Sequence, residues 1–308
     1  MIRVKAQYSC RMTQPAPIAV PVCYRHPSRE TYVRCTRCDR PICPDCMHEA
    51  SVGHQCPACI AEGRLTQRPV RTTFGGGITG TRGYVTITLI VLNCLVAVAS
   101  ALSSGSAGAL AGGGIGGLMG GNTPLSREGS LVPLLVANGE YYRLITSMFL
   151  HYGLLHLLMN MWALWVLGRL LETALGPVRF LALYLLSGLG GSVAVYLIAD
   201  PRGATAGASG AIFGLFAALF VVLRRLGRDT SSIVPVLVIN LMMTFMVPGI
   251  SIGGHIGGLV TGVIVSLGLA YAPQRLRTQV QAATGVTVLA LLAIAMVART
   301  IVLTGGLL

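Results

Sequence analysis

The sequence predicts an all-α polytopic membrane protein with a small zinc-binding head on its cytoplasmic side, and three observations carry that reading. Apolar residues make up 53% of the 308-residue chain and charged residues only 11%, a balance far from that of soluble domains. Predominantly apolar runs of about 20 residues, enough to cross about 30 Å of hydrocarbon, recur near 83–103, 153–172, 180–200, 204–223, 232–250, 252–272 and 283–304. Seven of the nine cysteines, by contrast, fall between Cys23 and Cys59, ahead of the first run.

Residues 1–20 lack the sustained apolar core and cleavage-like site of a secretory signal and are expected to be disordered. The head follows over 21–63. Its doublets are Cys23/His26, Cys35/Cys38, Cys43/Cys46 and Cys56/Cys59, each with two residues between the ligands, and His48 and His54 lie in the last gap. Two ligands on a tight knuckle can take adjacent corners of a tetrahedron, and two knuckles complete a zinc site. Eight ligands therefore predict two structural Zn2+ ions. A cytoplasmic head would keep its thiols reduced, which disfavours disulfides, and one this small would draw its folding energy from the metal. The spacing resembles a B-box-type zinc finger, a cross-braced module. That resemblance implies one ion held by Cys23, His26, Cys43 and Cys46 and a second by Cys35, Cys38, Cys56 and Cys59, with His54 as an alternative to Cys56. It also implies a protein-binding role, with a cytoplasmic protein as the partner. Residues 64–82, polar and glycine-rich, are expected to be a flexible linker.

The net charge of +13 invites a nucleic-acid reading, but position sorts the arginines differently. Arg64, Arg68, Arg71 and Arg82 precede the first run, and Arg169, Arg179, Arg224, Arg225, Arg228, Arg275 and Arg277 fall in alternate connections. The opposite connections hold Arg127, Arg143 and Arg202. By the positive-inside rule the N-terminus is cytoplasmic and the C-terminus outside. The excess charge is thus mostly topology, and nucleic acid is excluded as a partner. Lys5 is the only lysine, which fits a GC-rich bacterial genome and a plasma-membrane location.

Ionisable groups inside spans are costly and mark function. Outside the head the chain has three histidines, His151, His156 and His255, all near the starts of runs. His156 and Asn160, four apart, share a helical face. His255 sits in a stripe of Gly254, Gly258 and Gly262, and Ser209 lies in the stretch TAGASGAIFG. With the expected topology, His156, Ser209 and His255 each follow the outer edge of a span by about 5–8 residues, a depth of about 10 Å. Small residues let helices approach, bringing Ser209 within reach of His255. A serine beside a histidine is the minimum for nucleophilic catalysis. Asn160, His156 and the Ser209 N–H are then candidate oxyanion donors. Asp200 and Asp229 are badly placed for a triad, so a dyad is expected. Taken singly, each group also reads as interhelical glue or packing, but their shared depth favours a site.

Five separated motifs then resemble the rhomboid family of intramembrane serine proteases: Tyr142-Arg143, HYGLLHLLMN, Glu172 in GRLLETALG, GASG with Ser209, and GHIGGLVTG with His255. The resemblance spans 83–272 and implies a six-helix protease core, with 273–308 supplying a cytoplasmic loop and a seventh helix. It implies Ser209 as nucleophile, His255 as base, His156 and Asn160 as oxyanion helpers, His151 as a structural or water-handling group, and Arg143 and Glu172 as structural. Phe213 stands where some members carry a tyrosine packed on the histidine. Ser103 to Asn122 is a glycine-rich outer loop. Implied substrates are single-pass membrane proteins, cut near helix-breaking residues because an intact helix hides its carbonyls. The rival readings are a silent rhomboid-like binder and a transporter. Lack of a carboxylate pathway and the clustering of polar groups near one face count against the latter.

Overall fold

The computed structural model describes residues 20–67, 70–77, 83–103 and 123–305 and divides into two compact units, Met1–Pro69 and Val70–Leu308. The expected disordered N-terminus, apart from Val20, and the glycine-rich loop 104–122 lie outside the described residues.

In the first unit, regular structure is sparse and side chains set the backbone path. A two-residue hairpin pairs β1 (His48–Glu49) with β2 (His54–Gln55), and helix α1 (Pro57–Thr66) follows. Pro57 suits the first helical position, where no N–H is needed. Cys56 Sγ caps the same end, accepting from the Cys59 N–H at 3.3 Å. Asp39 takes a left-handed φ of 59° at the end of its knuckle, a conformation Asp tolerates better than most residues. The unit's buried apolar side chains, among the described residues, are six cysteines and Ile42, with Thr31 also buried, little apolar surface for a folded unit.

The second unit is helical: α2 (Tyr84–Ser103), three short helices α3 (Pro124–Gly129), α4 (Pro133–Ala137) and α5 (Arg143–Thr146), then α6 (Leu154–Leu175), α7 (Pro177–Ile198), α8 (Ser209–Arg225), α9 (Ile233–Met246), α10 (Ile252–Tyr271) and α11 (Arg277–Leu303). Among the described residues five helical segments are long and apolar enough to cross a membrane: α2, α6, α7, α10 and Gln274–Leu303, which includes α11. The protein is a multi-pass membrane protein.

Two of the seven expected runs form shorter helices. The fourth starts at Ser209 rather than near 204 because the preceding backbone is paired elsewhere. Leu131 and Thr205 exchange N–H···O bonds of 2.9 Å, and the Gly207 N–H donates to Ser147 O at 2.9 Å. The fifth spans 14 residues, with its C-terminal flank Val247 extended, as expected for a residue before proline. The expected linker 64–82 is also partly ordered. Its start continues α1, and residues 71–77 form a turn that buries Phe74 in the membrane unit's core.

Helices α7, α8 and α10 form the centre. Ten consecutive α8 residues, Gly210 to Leu219, are buried, as befits a helix apolar on all sides. Glycine permits the packing: a Cβ on Gly258 would run into the Gly210 carbonyl, and one on Gly262 into the Gly214 backbone. Two four-residue spacings thus interlock, Gly210/Gly214 with Gly258/Gly262, in a small-residue crossing typical of membrane helices.

Glu172 and Arg143 brace the periphery. Glu172, 4% exposed, accepts the N–H groups of Val85 and Thr86 at 2.9 Å and the Thr86 hydroxyl at 2.7 Å, capping α2. Arg143 Nη1 donates to the carbonyls of Arg127 and Ser130 at 2.9 and 2.8 Å, and its Nε pairs with Glu140.

A methyl group at the crossing should be costly, while one at a glycine with room around it should not. Gly258→Ala is expected to lower the thermal midpoint of the detergent-solubilised protein, at a cost of about 1–3 kcal/mol. Gly285→Ala, whose Cβ would meet only Leu186 Cδ1 at 3.7 Å, should leave the midpoint unchanged or raise it, since alanine favours a helix by about 0.5–1 kcal/mol.

Candidate active site and metal centres

Ser209, His156 and His255 all sit in the first turn of their helices, α8, α6 and α10. The sequence expectation put them deeper along regular spans; instead, non-helical backbone leads to each. First-turn N–H groups have no carbonyl four residues back, so the start of α8 offers donors at the serine itself. The extended segment before it, pinned to Leu131 and Ser147, fixes where α8 begins.

Gly207 lets the His156 ring approach the chain beside Ser209. Its φ of 137° is open only to glycine in practice. A Cβ there would lie 2.8 and 2.9 Å from Cε1 and Nε2 of His156 and 3.6 Å from Ser209 Oγ. Asn160 is one turn below His156 and its Nδ2 donates to the His156 carbonyl at 3.0 Å. His151 packs edge-on to His156, with ring centroids 5.0 Å apart.

His255 reaches the same helix face from α10. Its ring stacks on Phe213, centroids 4.1 Å apart and planes 21° apart, and Phe213 is one turn beyond Ser209 on α8. The retained aromatic face is thus supplied by phenylalanine. Beneath both rings, Gly210 abuts Gly258, so the glycine crossing sets the register of serine against histidine. Among the described residues the partner of His255 is Thr244, whose Oγ1 lies 2.7 Å from Nδ1. Thr244 also donates to Asn240 O at 2.9 Å. Sequence reasoning missed Thr244, since one threonine in an apolar run is helix-compatible and unremarked. It is, however, the one buried residue of α9.

In the head, the ligand atoms gather in two groups, Cys23, His26, Cys43 and Cys46, and Cys35, Cys38, Cys56 and Cys59, each within 4.8 Å. His26 Nδ1 lies 3.8, 3.2 and 3.4 Å from the sulfurs of Cys23, Cys43 and Cys46, and Cys38 Sγ lies 3.7 Å from Cys56 Sγ. These approach the edges, about 3.8 Å, of a tetrahedron with metal–sulfur bonds of about 2.3 Å. His54 is not brought into either group: it lies on β2, and Cys56 completes the second. Burial raises the Cys23 and Cys35 thiols, but backbone N–H groups overcome it and lower each to about 6. Burial and neighbouring thiols push Cys46 up to about 11 and Cys59 to about 12. Burial raises Cys56 too, but the Cys59 N–H and neighbouring side chains lower it. Each group thus favours thiolate at some of its cysteines and resists it at others, a conflict a bound cation would relieve. The donors present can hold two metal ions.

The start of α8 thus carries Ser209, with the His156 ring packed against Gly207 beside it and His255 stacked on Phe213 one turn beyond. The sequence matches the Rhomboid domain family over residues 138–272. It is 41% identical over 143 residues to the rhomboid protease GluP of Bacillus subtilis, covering 44% of this chain but 27% of that protein. It is 40% identical over 136 residues to YdcA, a rhomboid-named protein of the same organism, covering 42% of this chain and 68% of YdcA. It also matches the Arabidopsis thaliana protein named inactive RHOMBOID-like protein 8, 38% identical over 92 residues, 30% of this chain and 26% of that one. The chain belongs to the rhomboid family. The aligned region spans about a quarter of GluP, so GluP's activity does not transfer with the match.

Thr244 should select the imidazole tautomer. In 15N NMR of histidine-labelled protein, His255 is expected to carry its proton on Nδ1, and Thr244→Val should shift population toward the Nε2–H form. Identical His255 signals in the two proteins would remove that role.

Proposed function

We propose that this chain is an intramembrane serine protease using a Ser209–His255 dyad on single-pass membrane proteins. The observation that carries the reading is the packing at the start of α8: the absent side chain of Gly207 lets the His156 ring close on the serine, and His255 stacks on Phe213 one turn beyond it. The oxygen of a carbonyl bonded to Ser209 Oγ would develop its charge beside His156.

The chemistry follows from the donors. With the Thr244 proton on Asn240 O, Thr244 Oγ1 accepts from His255 Nδ1–H, leaving Nε2 with its lone pair. Nε2 takes the Ser209 proton as Oγ bonds to the peptide carbon, and returns it to the nitrogen as the C–N bond breaks. Water then repeats the sequence on the acyl-enzyme. The Ser209 N–H, His156 and the second Asn160 N–H stabilise the oxyanion. Thr244 is a positioning residue, while Phe213 confines the imidazole plane. Cleavage requires unwound substrate, because a helix sequesters its carbonyls; Gly, Pro and small residues near the cut would supply this.

Zinc fits both metal groups, one offering three thiolates and an imidazole and the other four thiolates, each closed to further ligands. Its role is structural, in a cytoplasmic head that binds a protein partner. The arginine distribution supports seven crossings in a bacterial plasma membrane, with the C-terminus outside.

In proteoliposomes with a single-pass substrate, wild type should cut while Ser209→Ala and His255→Ala fall by about three orders of magnitude or more. Gly207→Ala should lose most turnover, and Asn160→Ala about tenfold to a thousandfold. Cutting by Ser209→Ala at the wild-type rate would reject the nucleophile. Failure of wild type to cut, or to label with a serine-reactive probe, would favour a silent membrane-protein binder. Elemental analysis should find two zinc ions per chain, and one in Cys43→Ser; any other metal or stoichiometry would refute the zinc assignment.

A further inference from the structure

Three arginines from three parts of the membrane unit converge on Gly75. Arg71 Nη1 donates to the Gly75 carbonyl at 3.2 Å. A Cβ on Gly75, whose φ is 85°, would lie 2.8 Å from Arg277 Cδ, 3.2 Å from Arg277 Nη1 and 3.5 Å from Arg179 Nη2. The three guanidiniums thus share the surroundings of one residue, Gly75. Among the described residues none of the three has a carboxylate within 4.0 Å. Like charges gathered this way repel unless an anion joins them.

The cluster is built. Phe74, 3% exposed, anchors the turn in the core. Gln281 links the parts: its Oε1 accepts Arg179 Nε at 2.7 Å, and its Nε2 donates to Phe74 O at 3.2 Å and Leu269 O at 2.9 Å. Arg71 is exposed and Arg179 and Arg277 are half-buried, so the heads remain accessible. Arg179 also lies in the first turn of α7, adding the positive end of a 22-residue helix.

We propose that Arg71, Arg179 and Arg277 form a phosphate-binding site. Guanidinium forks match phosphate oxygens, and the site lies where α7 and α11 begin, at the ends of apolar spans where headgroups reside. An anionic lipid phosphodiester is one source and free inorganic phosphate the other. Either would clamp the 70–77 turn onto α7 and α11.

The test uses the full chain in detergent. Native mass spectrometry would follow titration with phosphatidylglycerol or phosphatidylcholine, and equilibrium dialysis would follow inorganic phosphate. Arg179→Gln/Arg277→Gln and the single Arg71→Gln would be compared with Arg224→Gln/Arg228→Gln, an equal loss of charge at exposed positions. One retained phosphatidylglycerol, weakened at least tenfold in the double variant and measurably in Arg71→Gln but not in the control, supports the lipid source. The same pattern with inorganic phosphate alone supports the soluble source. Equal loss in the control, or no binding of either ligand above phosphatidylcholine, overturns the site. Arg71→Gln decides if the double variant fails to fold.

Discussion

The close approach of α8 and α10 is the constraint on which the rest of the membrane unit depends. Gly210 and Gly214 meet Gly258 and Gly262 backbone to backbone, with no side chain between. Rigid contact of this kind leaves little freedom to slide, because a shift along either helix trades glycine for a larger neighbour. The first turns above the contact inherit that fixity. Ser209 directly precedes one contacting glycine and His255 lies three residues before another, so their mutual position is a property of the crossing.

Around that fixed pair the supports differ in strength. Phe213 belongs to the rigid α8, and Gly207 is held by a main-chain bond to Ser147. Thr244 belongs to α9, which otherwise presents exposed or half-buried side chains. The histidine is therefore steadied on one face by the core and at Nδ1 by a loosely embedded helix. Ser209, by contrast, depends on the well-packed α8.

What could be read in advance follows the range of the interactions involved. The head's ligand sets were legible because each doublet is local, and the cross-braced pairing came from the resemblance. His156, Asn160, Ser209 and His255 stood out because polar groups are conspicuous in apolar runs. The start of α8 was not legible: residues 204–207 look helix-compatible, and bonds of Thr205 to Leu131 and of Gly207 to Ser147, far away in sequence, hold them out of the helix. The 71–77 turn read as linker because glycine is ambiguous between freedom and close packing. Gly76, against the Leu175 and Gly176 backbone, is the latter. Thr244 was invisible for a similar reason, since its partner is eleven residues away across a turn.

The carboxylate of Glu172 has a consequence for biosynthesis. It satisfies the opening N–H groups of α2, yet it follows them by 86 and 87 residues. As the ribosome delivers the chain, α2 can enter the bilayer on its hydrophobicity while its leading amides remain hydrated at the interface. Only after the end of α6 has emerged can those amides exchange water for the carboxylate. Helix α2, made well before α6, is thus among the later ones to reach its final seating, an order written into the chain by the distance between a cap and the helix it closes.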